Sequence, residues 1–426
     1  MLRRITTVAA AAALSAAIAG CGTTSSGGAG TPSAGKSQTL NIVSVGYTPY
    51  FGDAVPAVKA RLAEANANNE VPGYKFNYMG MINDQFTPDG AVAAYRQAKE
   101  QDNVFAVVGG ASNSYPTAYV NQQQLPVVGY GQADSFCTHG STQTWYFIST
   151  VGCVVPATAV YSINLGQPAK ALEGGSVAGK TVACIGEDYP NAVNHMKQLC
   201  SSFKGAGFKV ALTDASIPAP PAVVSDFSPW VQKLMTANSG NPVDVVVLGT
   251  SPGSSAGIAK GLNRSGFTGK IIGGAGFSPA TTAAEKGVTE WSNIASPMSA
   301  ANNPQMKKIV AALVAAGVKQ SAISGTSVQA WLQADMFVKI AAATAAHGKL
   351  TSQAFAETAK SFTYEVPGVV GPTVYPAAFI APTPCSEMDT SNGTVWTVTR
   401  PYTCDSLFSL SQGFVGYSSA NPNQKY

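Results

Sequence analysis

Strand-like runs alternate with helix-like runs along most of this chain, and the alternation occurs twice. Leu40 to Val45 is apolar and β-branched. Ala54 to Ala67 follows with Val55, Val58 and Leu62 on one helical face, and Asp53 stands where a helix cap belongs. Tyr74 to Met79 alternates, with Tyr74, Phe76 and Tyr78 on one side. Pro88 to Gln101 reads as a helix, Val104 to Val108 as a buried strand, and Pro126 to Tyr130 as another strand after a further helix. The second block runs Lys180 to Gly186 (strand), Asn191 to Lys204 (helix), Phe208 to Ala211 (strand) and Phe227 to Ala237 (helix). It continues through Asp244 to Gly249 (strand), Gly253 to Arg264 (helix) and Lys270 to Gly276 (strand). A strand that returns through a helix to a neighbouring strand makes a parallel sheet covered by helices on its faces. Two such blocks predict an α/β protein of two Rossmann-like lobes, each near ordinary domain size.

Three helical stretches follow: Gln305 to Ala316, Gly325 to His347 and Ser352 to Ser361. The longest carries Val328, Trp331, Leu332, Met336 and Ile340 at helical spacing, which reads as a core stripe. Strand-like pieces such as Thr394 to Val398 close the chain, and no short-period repeat is present.

The chain has 426 residues, of which 45% are hydrophobic and 11% charged, so a large core is available and wholesale disorder is not expected. The formal net charge is +4, two units of it from Arg3 and Arg4. No basic stripe stands out, which argues against nucleic acid as a partner. Arg3 and Arg4 precede an Ala-rich apolar run from Val8 to Ala19, then Ile18-Ala19-Gly20-Cys21. The run is shorter than the roughly 20 residues that span a bilayer, and it has the layout of an export signal. The four residues ending in Cys21 resemble the lipobox of bacterial lipoproteins. That resemblance implies removal of residues 1–20, lipid on Cys21 and attachment to the outer face of the cell membrane. An ordinary secretory signal is the alternative, and both place the chain outside the cytoplasm. Residues 21–38 then form a Ser/Gly/Thr/Pro-rich tether.

Six further cysteines remain: Cys137, Cys153, Cys184, Cys200, Cys385 and Cys404. An even number in an oxidising compartment suggests disulfides, and six allow about 15 pairings. Neighbour pairing into three local loops is the simplest arrangement, with a pinned hairpin between Cys385 and Cys404. A buried free thiol at Cys184 is the alternative there. No Cys/His cluster suggests a metal, and no cofactor is expected.

In open α/β sheets, ligands gather beyond the carboxyl ends of the strands. The turns there are Gly46 to Gly52 with Tyr50, Gly109 to Ser114, and Tyr130-Gly131-Gln132. In the second block they are Gly186 to Asn191, Gly249 to Gly253 and Gly274 to Ser278 with Phe277. Glycines admit close backbone approach, hydroxyls and helix-start N–H groups hold polar ends, and aromatics wall an apolar body. Singly, each such residue also serves as a cap or turn former.

From about Thr39 to Thr373 the order and spacing of these segments resemble the leucine/isoleucine/valine-binding family, the type I periplasmic binding proteins of ABC importers. The stretches are Gly46 to Gly52, Val107-Val108-Gly109 with Ser112 to Ser114, and Gly186-Glu187-Asp188-Tyr189-Pro190. Asp244 to Thr250, Gly266-Phe267, the helix around Ala330 to Asp335, and Gly371-Pro372 complete the set. The resemblance implies two lobes joined by a three-segment hinge and closing on a small molecule. Lobe 1 would hold 39–150 and 300–365, and lobe 2 would hold 151–299 and 366–426. Ser112, Asn113 and Ser114 would take a ligand carboxylate, with Tyr50, Tyr130 and Gln132 beside them. Asp188, Asn191, Ser251, Ala275 and Phe277 would face them from lobe 2. An ABC permease would be the protein partner, and the protein would act as a monomer.

Departures from the family weigh on the ligand. Its amino-acid binders often carry an acidic residue where Ala275 aligns, a tyrosine at Asn191 and a glycine at Ala192. Glu187 and Asp188 are the carboxylates placed to supply the missing charge, Asp188 alternatively capping the next helix. A carboxylate, an amide or a neutral compound with an apolar body is therefore expected at least as strongly as an amino acid. Two rival readings stand beside this one. Gly249-Thr250-Ser251-Pro252-Gly253 matches G-x-S-x-G between a strand and a helix, and Ser251, Asp335 and His347 run in the order of an α/β-hydrolase triad. The same fold also serves ligand sensors.

Overall fold

The computed structural model describes residues 37–112, 114–137, 146–154, 161–274 and 276–416, with Asn191 by its backbone alone. The signal segment, Cys21, Asn113 and Ala275 lie outside the described residues.

Five parallel strands form the first sheet: β1 (Gln38–Gly46), β2 (Tyr74–Asn83), β3 (Val104–Val108), β4 (Val127–Gly129) and β5 (Phe147–Ser149), in the order β2-β1-β3-β4-β5. In β1, Ile42, Val43, Ser44 and Val45 are all buried, so the run is apolar on both faces, as helices on both sides of a sheet require. The strand starts at Gln38, where the tether was expected to end. The connecting helices are α1 (Thr48–Phe51), α2 (Ala54–Ala67), α3 (Pro88–Arg96) and α4 (Thr117–Gln122). The Thr87 hydroxyl accepts from Gly90 N at 3.1 Å and Pro88 opens α3, a strong start. The expected helix to Gln101 is present, but its last five residues widen into a π turn. Asp53 does not cap α2. The backbone already enters in helical conformation from α1, so its carboxylate cannot fold back, and it accepts instead from Ser324 Oγ at 3.0 Å.

A second parallel sheet repeats the first. After β6 (Tyr161–Ser162) and α5 (Gly166–Leu172) come β7 (Thr181–Glu187), α6 (Pro190–Ala206), β8 (Lys209–Ile217), α7 (Ser228–Thr236) and β9 (Val245–Gly249). Then follow α8 (Pro252–Arg264), β10 (Lys270–Gly273) and β11 (Val288–Ser292). The order is β8-β7-β9-β10-β11, the same reversal beside the first strand.

Three helices come next: α9 (Pro304–Ala315), α10 (Gly325–His347) and α11 (Ser352–Ala359). Val328, Leu332, Met336 and Ile340 of α10 are fully buried, as the stripe predicts. Asp335 anchors α10 to α2: Arg61 Nε donates to its Oδ1 at 2.9 Å, while Tyr364 Oη and Lys339 Nζ approach Oδ2 at 3.0 and 2.8 Å. The hairpin β12 (Thr363–Val366) and β13 (Val370–Val374) follows. Then β14 (Cys385–Ser391) and β15 (Trp396–Cys404) extend the second sheet antiparallel to β11. Finally β16 (Ser406–Ser409) and β17 (Gly413–Gly416) form a small sheet with β6.

The six cysteines pair locally, as Cys137–Cys153, Cys184–Cys200 and Cys385–Cys404. Cys184 is therefore not a free thiol, and Cys385 faces Cys404 across the β14–β15 ladder. Three chain segments run side by side between the sheets. Thr373 Oγ1 donates to Thr150 O at 2.6 Å, Ser149 N to Tyr375 Oη at 2.7 Å and Ala295 N to Val369 O at 2.8 Å.

Candidate functional site

The carboxyl ends of both parallel sheets open onto one cleft of about 200 Å³. Each sheet reverses its strand order beside its first strand, the place where α/β folds leave a crevice. Tyr50 follows β1, Ser112 follows β3, and Tyr130 and Gln132 follow β4. Glu187 and Tyr189 end β7, Thr250 to Pro252 follow β9, and Gly276 and Phe277 follow β10. Close approach explains two of the glycines. A Cβ on Gly249 would lie 1.7 Å from Met196 Cε, and one on Gly110 2.0 Å from Val45 O.

Of the residues singled out from the sequence, Tyr50, Ser112, Tyr130, Gln132, Ser251 and Phe277 line this cleft. Ser114 and Asp188 stand aside from it. Ser114 O accepts from Ser112 Oγ at 2.6 Å, and Asp188 is exposed, with its N–H tied to Ile217 O at 2.7 Å. Asp188 does not cap α6 either, whose first turn has no side-chain cap. Of the two carboxylates flagged at the end of β7, Glu187 is the one that reaches the cleft.

Glu187 organises the second sheet's side. Its Oε1 accepts from Ser251 N at 3.1 Å, Ser251 Oγ at 2.6 Å and Ser254 Oγ at 2.8 Å. Burial pushes its carboxyl above the usual range, and the serine hydrogen bonds pull it back in part. From the first sheet's side, the Tyr50 hydroxyl reaches toward the Ser251 turn, 3.9 Å from where a Cβ on Gly253 would lie. Other links cross between the halves. Tyr130 Oη donates to Asn293 Oδ1, Gly325 N donates to Phe277 O at 2.8 Å, and Phe86 packs edge-on to Tyr189 at 6.3 Å.

The hydrolase triad is not assembled. The Ser251 hydroxyl is bound to a carboxylate rather than a histidine. Asp335 is committed to Arg61, Tyr364 and Lys339. His347 lies exposed at the end of the same helix, twelve residues or about 18 Å from Asp335 at 1.5 Å per residue.

Two carboxylates were not picked out from the sequence. Glu290 on β11 and Asp389 on β14 stand opposite one another in the antiparallel ladder, and both line the cleft. Gly276 N donates to Glu290 Oε2 at 2.9 Å. Asp389 is 3% exposed, and its Oδ1 has no hydrogen-bond partner. Burial, reinforced by the charge of Glu387, pushes its carboxyl up to about 7. Trp291 Nε1 also lacks a partner, at 6% exposure. His195 lines the cleft as well, and burial lowers it to about 4, so it is neutral near pH 7. In the structure Glu387-Met388-Asp389 puts two acids on one face of an otherwise buried strand. Among the described residues no group of three His, Cys, Asp or Glu side chains could hold a metal, and no helix is long and apolar enough to cross a membrane.

Several solved structures share this fold. A solute-binding protein of an ABC transporter from R. palustris, in complex with 4-hydroxybenzoate, is 16% identical with a TM-score of 0.67, covering 86% of this chain and 98% of its own. A branched-chain amino acid ABC transporter protein from Thermus thermophilus with bound valine is 13% identical with a TM-score of 0.69, covering 87% and 97%. A fatty acid ABC transporter substrate-binding protein from Thermomonospora curvata is 15% identical with a TM-score of 0.67, covering 87% and 93%. No curated protein sequence matches the chain. The periplasmic binding protein family model matches residues 40–385, most of the chain, and with two parallel sheets facing one cleft this chain belongs to that family.

Proposed function

We propose that this protein is a lipid-anchored, extracytoplasmic solute-binding protein that captures a small organic molecule by closing two lobes on it and presents it to an ABC permease. It performs no chemistry. The cleft shared by the strand ends of both sheets carries this reading. The lobes are 39–150 with 300–365 and 151–299 with 366–426. The segments near Thr150, Ala295 and Thr373, bonded side by side, are the hinge. Packing of α10 on α2 and pairing of β14 with β11 support this division. Tyr50, Ser112, Tyr130, Gln132, Ser251 and Phe277 contact the ligand. An amino acid, amide or carboxylate with an apolar body suits a cleft of mixed hydroxyls and aromatics. The fold's other members named above are described with ligands that join an apolar body to a polar end.

The test is thermal unfolding of the full chain in detergent against amino acids, short and aromatic carboxylates, amides and sugars. A ligand that binds only the native state stabilises it by RT ln(1 + [L]/Kd), about 2.7 kcal/mol at a hundredfold excess over Kd. One chemical class is expected to raise the midpoint in a saturable way. Silence across this panel and across organic amines as well would remove this reading.

A further inference from the structure

We propose that the cleft holds a cationic nitrogen of its ligand between Glu290 and Asp389, so that the preferred solute is a net-positive organic molecule with an apolar body. This rests on the solute-binding reading and assigns its substrate class as an organic cation, in place of the amino acid, amide or carboxylate named there. Three acids line the cleft, Glu187, Glu290 and Asp389, and among the described lining residues there is no lysine or arginine. The one histidine there is neutral near pH 7.

The acids are not equivalent. Glu187 is occupied by three donors from Ser251 and Ser254. Glu290 and Asp389 form a directly opposed pair on neighbouring strands, where like charges repel. Glu290 is held in place, since Gly276 N binds its Oε2 and the missing Cβ of Gly273 leaves room for its carboxylate. A Cβ there would lie 1.8 Å from Glu290 Oε1. Asp389 Oδ1 is a buried acceptor without a donor, at the wall of the cleft. Leaving such a group unmatched is costly. An ammonium or amidinium would donate to Asp389 Oδ1 and offset the repulsion of the opposed pair at once. Tyr189 and Phe277 wall the same cleft with ring surface for the apolar body. A zwitterion or a free carboxylate would bring its anionic end into a space already lined by acids.

Two matched series test this at about pH 8, where Asp389 is ionised and alkylamines are protonated. One is phenethylamine, phenylalanine, 3-phenylpropanamide and 3-phenylpropanoate. The other is isopentylamine, leucine, 4-methylpentanamide and 4-methylpentanoate. Affinity is read by calorimetry and thermal unfolding of the full chain. The amines are expected to bind at least about tenfold more tightly than the zwitterion, amide and acid of the same body. Asp389→Asn is expected to weaken the amines about tenfold while unfolding at a higher temperature than the parent without ligand. That second readout shows the variant is folded. An amide or carboxylate binding as tightly as its amine, unchanged amine affinity in Asp389→Asn, or no binding by any member would each overturn the cation site. Saturable binding by a carboxylate or amide would do so while leaving the solute-binding reading standing. Only silence of these series and of the wider panel removes both.

Discussion

Asp389 ties stability to pH in a direction opposite to most carboxylates. In the folded chain it keeps its proton up to about 7, while an unfolded Asp releases it near its ordinary value of about 3.9. The folded state therefore binds the extra proton between these values. The stability that Asp389 contributes is fully present below about pH 4 and is lost as pH rises through about 7. Facing it are Glu290 across the ladder, Glu387 two residues along β14, and the Ser296 hydroxyl, which alone favours ionisation. Glu285, buried and pushed up to about 7, adds to the same window. The loss from Asp389 is on the order of 4 kcal/mol at about 1.4 kcal/mol per pKa unit. The ligand-free protein is expected to unfold at falling denaturant midpoints from about pH 5 to about pH 8, and Asp389→Asn to flatten that slope by its share. A parent slope that Asp389→Asn leaves unchanged would refute the assignment. At this scale the sequence was informative where residues sit in turns. Gly, Ser and aromatic residues after the strands marked the places from which Tyr50, Ser112, Tyr130, Gln132, Ser251 and Phe277 reach the cleft. Glu290 and Asp389 were not legible, because each becomes a cleft residue only once β14 is known to lie against β11.

The parallel βα units were readable because a buried strand is a short β-branched run and its helix carries a 3.6-residue stripe. Ala54–Ala67 and Gly325–His347 have the bounds that their patterns predict. The elements that escaped are short or mixed. β5 has three residues, and β11 reads Val-Thr-Glu-Trp-Ser, whose acid interrupts the apolar run. The last hairpin shows why a covalent link suits such a place. β14 carries Asp389, Glu387 and buried Met388, yet it attaches to the sheet only through β11 and β15. Cys385 and Cys404 close a loop with sequence separation 19. Loop-closure entropy assigns about 3 kcal/mol to a link of this size. The double variant Cys385→Ala/Cys404→Ala is expected to lower unfolding stability by about 3 kcal/mol and to leave the parallel sheets folded. Urea titration with circular dichroism measures both. A loss near zero would mean that the β14–β15 ladder holds β14 in place without the bond.

For the whole molecule, the proposed function rests on how firmly the two halves hold together without ligand. The segments proposed as the hinge are bonded to one another near Thr150, Ala295 and Thr373. On the far side of the cleft stand the Tyr50 hydroxyl near Ser251, the Phe277 carbonyl on Gly325 N, and the edge contact of Phe86 with Tyr189. Of these, the Tyr50 hydroxyl brings a short helix after β1 toward the N-cap residue of α8, and under the proposed closure opening the cleft would part them. A neutral hydrogen bond contributes about 1 kcal/mol net, which is about a fivefold change in the ratio of shut to open forms at 1.4 kcal/mol per decade. Tyr50→Phe removes that hydroxyl and keeps the ring against Tyr47, 5.1 Å away between centroids. The variant is expected to unfold at the parent's temperature, because the hydroxyl lies between halves rather than inside one. Its radius of gyration without ligand, read by solution X-ray scattering, is expected to exceed the parent's as the open form gains population. A ligand then has to supply the closure energy the hydroxyl no longer contributes, so its apparent affinity falls by a similar factor. Equal radii with equal affinity would show that the hinge alone sets the balance and that Tyr50 acts only as a wall of the cleft.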